Sequence, residues 1–256
     1  MGTLAASCSK SLPEKTVTVH FTVDRAFTAF MGEPAVRSIA DGSAATEMYV
    51  GVFTPDGTPV EGLSKRVPKD ATSGFDFDLA LVEGLSYRVA LFAQSAGRFV
   101  NPASWSAAGL KNIALTGFAL NSESDDAFTA VVDVDASSGG SVAVNLSRPW
   151  AQVNVATTQS IGGLSTVGIS VSGVPNVFNA FTGEASGSAG LSLSGTPLGG
   201  EFTTGYNYLG YAYVPVAGAG AGAGTTITIS KDGSTAKTVE NVPLRRNYRT
   251  NLLGDI

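Results

Sequence analysis

The sequence predicts an all-β chain of the β-sandwich type, and three observations carry that prediction. Short runs of alternating or β-branched residues recur along the chain, Gly, Asp, Asn and Pro break them at close intervals, and helical periodicity is nearly absent. Thr16–Val23 alternates cleanly, which puts Val17, Val19, Phe21 and Val23 on one face and His20 with the threonines on the solvent side. Met48–Phe53, Phe75–Leu81, Tyr87–Ala93, Ala127–Val134 and Ser141–Leu146 continue the series. Asp56-Gly57, after the second run, is a turn signal, because glycine accepts the positive φ that many turns require. Trp105–Leu110, behind Asn101-Pro102, is the one place where a short helix is expected, with Ser104 as its N-cap.

Proline suits a junction or an edge better than a central strand, so a domain boundary is expected at Ser147-Arg148-Pro149. Residues 1–15 then form a flexible N-terminal segment, 16–147 an N-terminal β-sandwich and 148–256 a C-terminal one. The second strand series runs Trp150–Ala156, Val167–Ser172, Gly190–Leu193, Tyr206–Val216, Thr225–Ile229, Lys237–Val242 and Tyr248–Leu253. Within it, Ala217–Gly224 alternates alanine and glycine. A phosphate cradle needs a helix to follow, and here a β-branched strand follows, so an exposed hairpin loop is expected.

Composition removes several functions. The 256 residues are 43% hydrophobic and 14% charged, too apolar for disorder and long enough for two ordinary domains. A net charge of −5, with the only basic cluster at Arg245, Arg246 and Arg249, argues against nucleic acid as a partner. One cysteine and one histidine permit no intrachain disulfide and neither a His-rich nor a Cys-based metal site, so no cofactor and no metal are expected. A Ser-His-Asp arrangement would have to use His20 on its exposed strand face, and no catalytic residue is assigned; the chain is read as a non-enzyme. Ser122–Asp126 and Asp133–Asp135 lack the spacing of a calcium loop and are read as a solvated loop and outward strand positions. The arginine cluster is read as charges on an exposed strand face, pairing with acids such as Glu240 and keeping a sheet edge soluble.

No apolar run approaches the roughly 18 residues of a membrane-spanning helix. Leu4-Ala5-Ala6-Ser7-Cys8 is similar to the end of a lipoprotein export signal, in which the cysteine becomes acylated and N-terminal, although Leu4 sits one place further from Cys8 than such signals prefer. That reading implies a start trimmed of its apolar stretch; the other is an incidental cysteine in a floppy segment. Aromatics concentrate in Tyr206–Tyr213. Alternation puts Tyr206 and Tyr208 opposite Leu209, Tyr211 and Tyr213, unless a bulge at Gly210 shifts the register. Tyr206 and Tyr208 are therefore the exposed aromatic candidates for binding a glycan or protein, against the alternative that the rings fill a core or edge.

Four stations in order resemble the fimbrillin family, the subunits of type V pili. They are Thr16–Val19 with 36–46 leading into Met48–Phe53; Leu146–Val155; Gly173–Asn179 with Thr182-Gly183; and Pro243–Asn251. The resemblance implies two tandem transthyretin-like, Greek-key β-sandwiches, export as a lipoprotein precursor anchored through Cys8, and display on the outer membrane. It also implies assembly with other fimbrial subunits by strand exchange, after an Arg-specific protease removes the first strand at Arg25 or Arg37, with a lean to Arg37. A neighbour's extended segment would then complete the sheet. Family members commonly continue with another strand beyond the motif at 247–251, whereas this sequence stops at Ile256, which implies a shortened chain or a variant completed by a partner. The alternative function is a non-polymerising surface lipoprotein that binds glycans or a host protein.

Overall fold

The computed structural model describes residues 14–23, 41–71, 74–218 and 224–256. The fold is all-β, with eighteen strands among the described residues. The N-terminal strands are β1 Thr16–Val23, β2 Glu47–Phe53, β3 Lys65–Pro68, β4 Phe75–Val82, β5 Ser86–Gln94, β6 Ile113–Ala114, β7 Ala127–Asp135 and β8 Gly140–Val144. There follow β9 Trp150–Thr157, β10 Val167–Val174, β11 Val177–Asn179, β12 Glu184–Ser186, β13 Ala189–Gly195 and β14 Glu201–Thr203. The last are β15 Tyr206–Pro215, β16 Thr225–Lys231, β17 Ser234–Val242 and β18 Arg249–Leu253. The long runs foreseen from alternation all form. The strands without a sequence signal (β3, β6, β11, β12 and β14) have four residues or fewer, too short to display a period.

Sheet β4-β1-β8 packs on sheet β3-β2-β5-β7, and Phe21, Phe75, Leu79, Val50, Val89 and Phe128 are among the residues that fill the space between them. The far face of β3-β2-β5-β7 is also covered. Tyr49, Phe53, Ala90 and Phe92 belong to a second core that takes in Leu110, Ile113, Phe178 and the C-terminal sheets β14-β15-β9-β18 and β13-β10-β16-β17. Burial on both faces explains why every residue of β2 and β9 is buried. On that covered face Glu47 accepts hydrogen bonds from Tyr49, Gln94 and the Gly97 amide and pairs with Arg66. Desolvation pushes the Glu47 carboxyl up, but those donors outweigh it and leave its pKa below the ordinary value.

The segment 95–126 covers this face without a regular helix. Instead of a helix over Trp105–Leu110, a single 3-10 turn spans Ala108–Lys111, and Ser104 caps nothing. The Asn101 side chain instead accepts a bond from the Ala103 amide, a local turn that competes with helix. Trp105 packs edge-on against Tyr49 at 5.1 Å. The acidic loop is corrected too: Asp125 and Asp126 are buried, each paired with an arginine. Thr54 and Thr58 bond the Asp56 carboxylate, and Gly57 has φ +91°, so the turn at Asp56-Gly57 forms as read.

Candidate assembly interface

Two strands lie beside a parallel neighbour, β1 in the centre of its sheet and β18 at an edge. β1 is the middle strand of its sheet. It pairs antiparallel with β4 over eight residue positions, Thr16↔Val82 to Val23↔Phe75, and parallel with β8 over five, Val19↔Gly140 to Val23↔Val144. The alternation in its sequence dictates its seat: Val19, Phe21 and Val23 are buried, and Phe21 stacks flat on Phe77 with ring centroids 4.9 Å apart. Burying such a side chain contributes roughly 1.5–3 kcal/mol, so three of them hold the strand firmly without any covalent tie to the sheet. Gly139 lets β8 approach, since a Cβ there would stand 2.9 Å from the Thr18 carbonyl oxygen.

The outer face of β1 is polar, as its pattern requires. His20 is half-exposed and its Nδ1 lies 2.7 Å from Asp78 Oδ1 on β4, with Ser141 opposite it on β8. The three form a row on an open sheet face rather than in a cleft. Among the described residues no three His, Cys, Asp or Glu side chains gather as a metal site, and no helix is long and apolar enough to cross a membrane. Cys8, Arg25 and Arg37 lie outside the described residues.

β18 is an edge strand of β14-β15-β9-β18, parallel to β9 from Arg249↔Gln152 to Leu253↔Ala156. Its approach is set by Asn247, whose φ of +58° asparagine tolerates, and whose amide donates to the Trp150 carbonyl. A chain of side-chain hydrogen bonds then crosses between the strands. Arg249 Nε donates to Gln152 Oε1 at 3.1 Å, Gln152 Nε2 to Asn154 Oδ1 at 3.0 Å, and Asn154 Nδ2 to Asn251 Oδ1 at 2.8 Å. Tyr208 donates to the same Asn154 oxygen at 2.7 Å. Gln152, Asn154 and Tyr208 are buried. Ile229, Val239, Leu252 and Leu253 line a shallow groove beside β18, and Leu253 is 43% exposed.

This corrects two sequence readings. The arginine cluster is not a row of exposed charges: Arg245 is exposed over the Tyr248 ring, but Arg246 donates to the Val216 and Gly183 carbonyls with Glu184 as its acid, and Arg249 joins the chain above. Burial draws the pKa of Arg246 and Arg249 down from the ordinary arginine value. Tyr208 is not an exposed binding residue either. The register between β15 and β9 slips between Tyr208 and Gly210, and this bulge carries Tyr208 to the same face as Tyr211 and Tyr213, where all three are buried. Asn121 fits into it: its Oδ1 accepts the Tyr211 amide and lies 2.6 Å from where a Cβ on Gly210 would stand. Tyr206 is half-buried.

Between the two strand seats runs the connection 145–149. Thr129 and Ser147 exchange both backbone hydrogen bonds, and Arg148 grips Asp126 with two bonds of 2.8 and 2.9 Å, its guanidinium 4.4 Å from the Phe128 ring. Both side chains are wholly buried, and burial pushes the Asp126 carboxyl up to about 6 against the pull of Arg148. Removing one partner of such a pair costs about 3–5 kcal/mol, because it strands the other charge. The pair was not legible in the sequence, because its acid partner, Asp126, lies in a loop read as solvated.

The fold and these seats define an all-β protein of packed sandwiches with its polar residues spent on strand register. The chain belongs to the DUF6562 family, a family of unknown function, whose model matches residues 11–256. No curated protein matches the sequence. Among solved structures the chain is similar to a candidate adhesin from Bacteroides ovatus, at 16% identity and a TM-score of 0.53, covering 96% of this chain and 89% of that one. It is also similar to a candidate polysaccharide-binding protein (DUF1812) from Bacteroides thetaiotaomicron VPI-5482, at 11% identity and a TM-score of 0.52 over 88% and 79%. The fimbrial anchor protein Mfa2 from Porphyromonas gingivalis matches at 12% identity and a TM-score of 0.49 over 88% and 82%. At these identities the likeness is one of fold.

Proposed function

We propose that the chain is a non-enzymatic, surface-displayed subunit of a fimbria, structural or adhesive, that assembles with other subunits by strand exchange at the seat of β1. The observation that carries this reading is the place of β1. It is central in its sheet and anchored by three buried side chains, and residues 24–46, which hold Arg25 and Arg37, join it to β2. Cutting that connection makes β1 a separate peptide. Its loss leaves β4 and β8 with facing unpaired edges above a bared apolar floor, which an extended segment of a neighbour would satisfy by backbone ladder and alternate side chains. The fold shared with the Bacteroides ovatus candidate adhesin supports a surface adhesive role. Anchoring through Cys8 at the outer membrane belongs to the same proposal.

The test is light scattering and negative-stain microscopy on the full-length mature protein, before and after limited Arg-specific proteolysis. Ladders or filaments that form after cleavage, and fail to form when Arg25 and Arg37 are both changed to lysine, are the expected result. A cut chain that stays monomeric and retains β1 overturns strand exchange and favours the non-polymerising surface lipoprotein, with Tyr206 as the remaining accessible ring for a glycan.

A further inference from the structure

β1 and β18 share a geometry that the assembly reading does not use. β1 runs parallel to β8 (Val19–Val23 beside Gly140–Val144), and β9 runs parallel to β18 (Gln152–Ala156 beside Arg249–Leu253). The chain enters the N-terminal sheets through β1 and leaves them after β8; it enters the C-terminal sheets through β9 and leaves them after β18. In a parallel pair, entry and exit lie at opposite ends. Tension along the chain therefore slides each pair along its own axis and strains all the hydrogen bonds of the pair at once. An antiparallel entry and exit pair would instead open like a zipper, one bond at a time.

We propose that the protein is built to carry tension along its length, with β1/β8 and β9/β18 as two shear-resisting clamps in series. Three further observations support it. The β9/β18 pair is short, and its backbone bonds are supplemented by the side-chain bonds Arg249 to Gln152 and Asn154 to Asn251, both between residues that stand directly opposite in the register. These bonds resist sliding in particular, because a shift by one residue along the strand turns Asn251 and Arg249 to the other face. The connection between the clamps is fastened independently by the Thr129–Ser147 bond pair and the buried Arg148–Asp126 ion pair, so a pull on one clamp reaches the other through a segment that is itself held. The inference concerns the intact chain, in which β1 is still joined to β2; the β9/β18 clamp does not depend on the exchange proposed at β1.

Single-molecule force spectroscopy tests it on one folded chain pulled in two directions. In a Cys8→Ser background, handles attached at Asn145→Cys and Gly254→Cys pull the β9/β18 pair in shear; handles at Ser160→Cys and Gly254→Cys pull the same pair apart from one end. All three attachment sites are exposed or open, and a Cβ at Gly254 meets nothing within 4 Å. The expected result is a rupture force several-fold higher in the first geometry. Asn251→Ala should lower the shear force markedly and the peeling force little, whereas Val171→Ala in β10 should lower thermal stability and leave the shear force near that of the parent. Equal forces in the two geometries, or a shear force insensitive to Asn251→Ala, would overturn the proposal.

Discussion

β1 and β18 are both seated beside a parallel neighbour, yet they are held by opposite chemistry. β1 is fixed by Val19, Phe21 and Val23 in an apolar trough, while β18 is fixed by a polar chain from Arg249 through Gln152 and Asn154 to Asn251. Apolar contacts are non-directional, so any strand with bulky residues at alternate positions meets the demands of the β1 seat. Hydrogen bonds between buried amides are directional, and a half-made set is worse than none, so the β18 seat accepts one register. On the proposed function, the first seat is the one suited to exchange and the second the one suited to permanence.

Substitutions at three positions probe that contrast. Phe21→Ala empties the deepest pocket of the β1 seat and should destabilise the protein by about 3–5 kcal/mol in urea unfolding, the largest of the three effects. Phe21→Leu should recover most of this if the seat asks only for apolar volume; a loss as large as that of alanine would mean that the stacking on Phe77 is specific, and the contrast would narrow. Asn251→Ala leaves the buried Asn154 amide without its acceptor and should cost about 1–3 kcal/mol. An isosteric apolar change, Asn251→Leu, should not rescue it, the reverse of the behaviour expected at Phe21. Tyr208→Phe removes one donor from an Asn154 oxygen that Gln152 still serves, and should cost about 0.5–1.5 kcal/mol, the smallest effect. A larger loss there would show that the ring's hydroxyl, rather than the strand-to-strand pairs, carries the lock.

The long strands were legible because alternation is a local property: Thr16–Val23 announces its buried face in eight letters, and the structure seats it that way round. β2 and β9 were legible as strands, but not as elements buried on both faces, because what covers the second face arrives from residues 95–126 and from distant sheets. The same limit applies to the motif near the end of the chain. Its arginines and asparagines could be read as exposed charge on an edge, and only Gln152 and Asn154, about a hundred residues earlier, turn them into a register lock. Tyr208 was misplaced for a comparable reason: the register slips at Gly210, where an asparagine from another segment, Asn121, accepts the Tyr211 amide, and the slip puts Tyr208 on the buried face.

The sequence by itself therefore determined the class of fold, the inward face of β1 and the turn at Asp56-Gly57. Periodicity and backbone preference act over a few residues and need no partner. The tertiary structure alone decided which polar residues are buried, that Asp125 and Asp126 meet Arg98 and Arg148 rather than water, and that the entry and exit strands lie parallel. Burial of a charge or amide is tolerated only when its partner is brought alongside, and that partner's position is fixed by strand pairing between residues far apart in the chain.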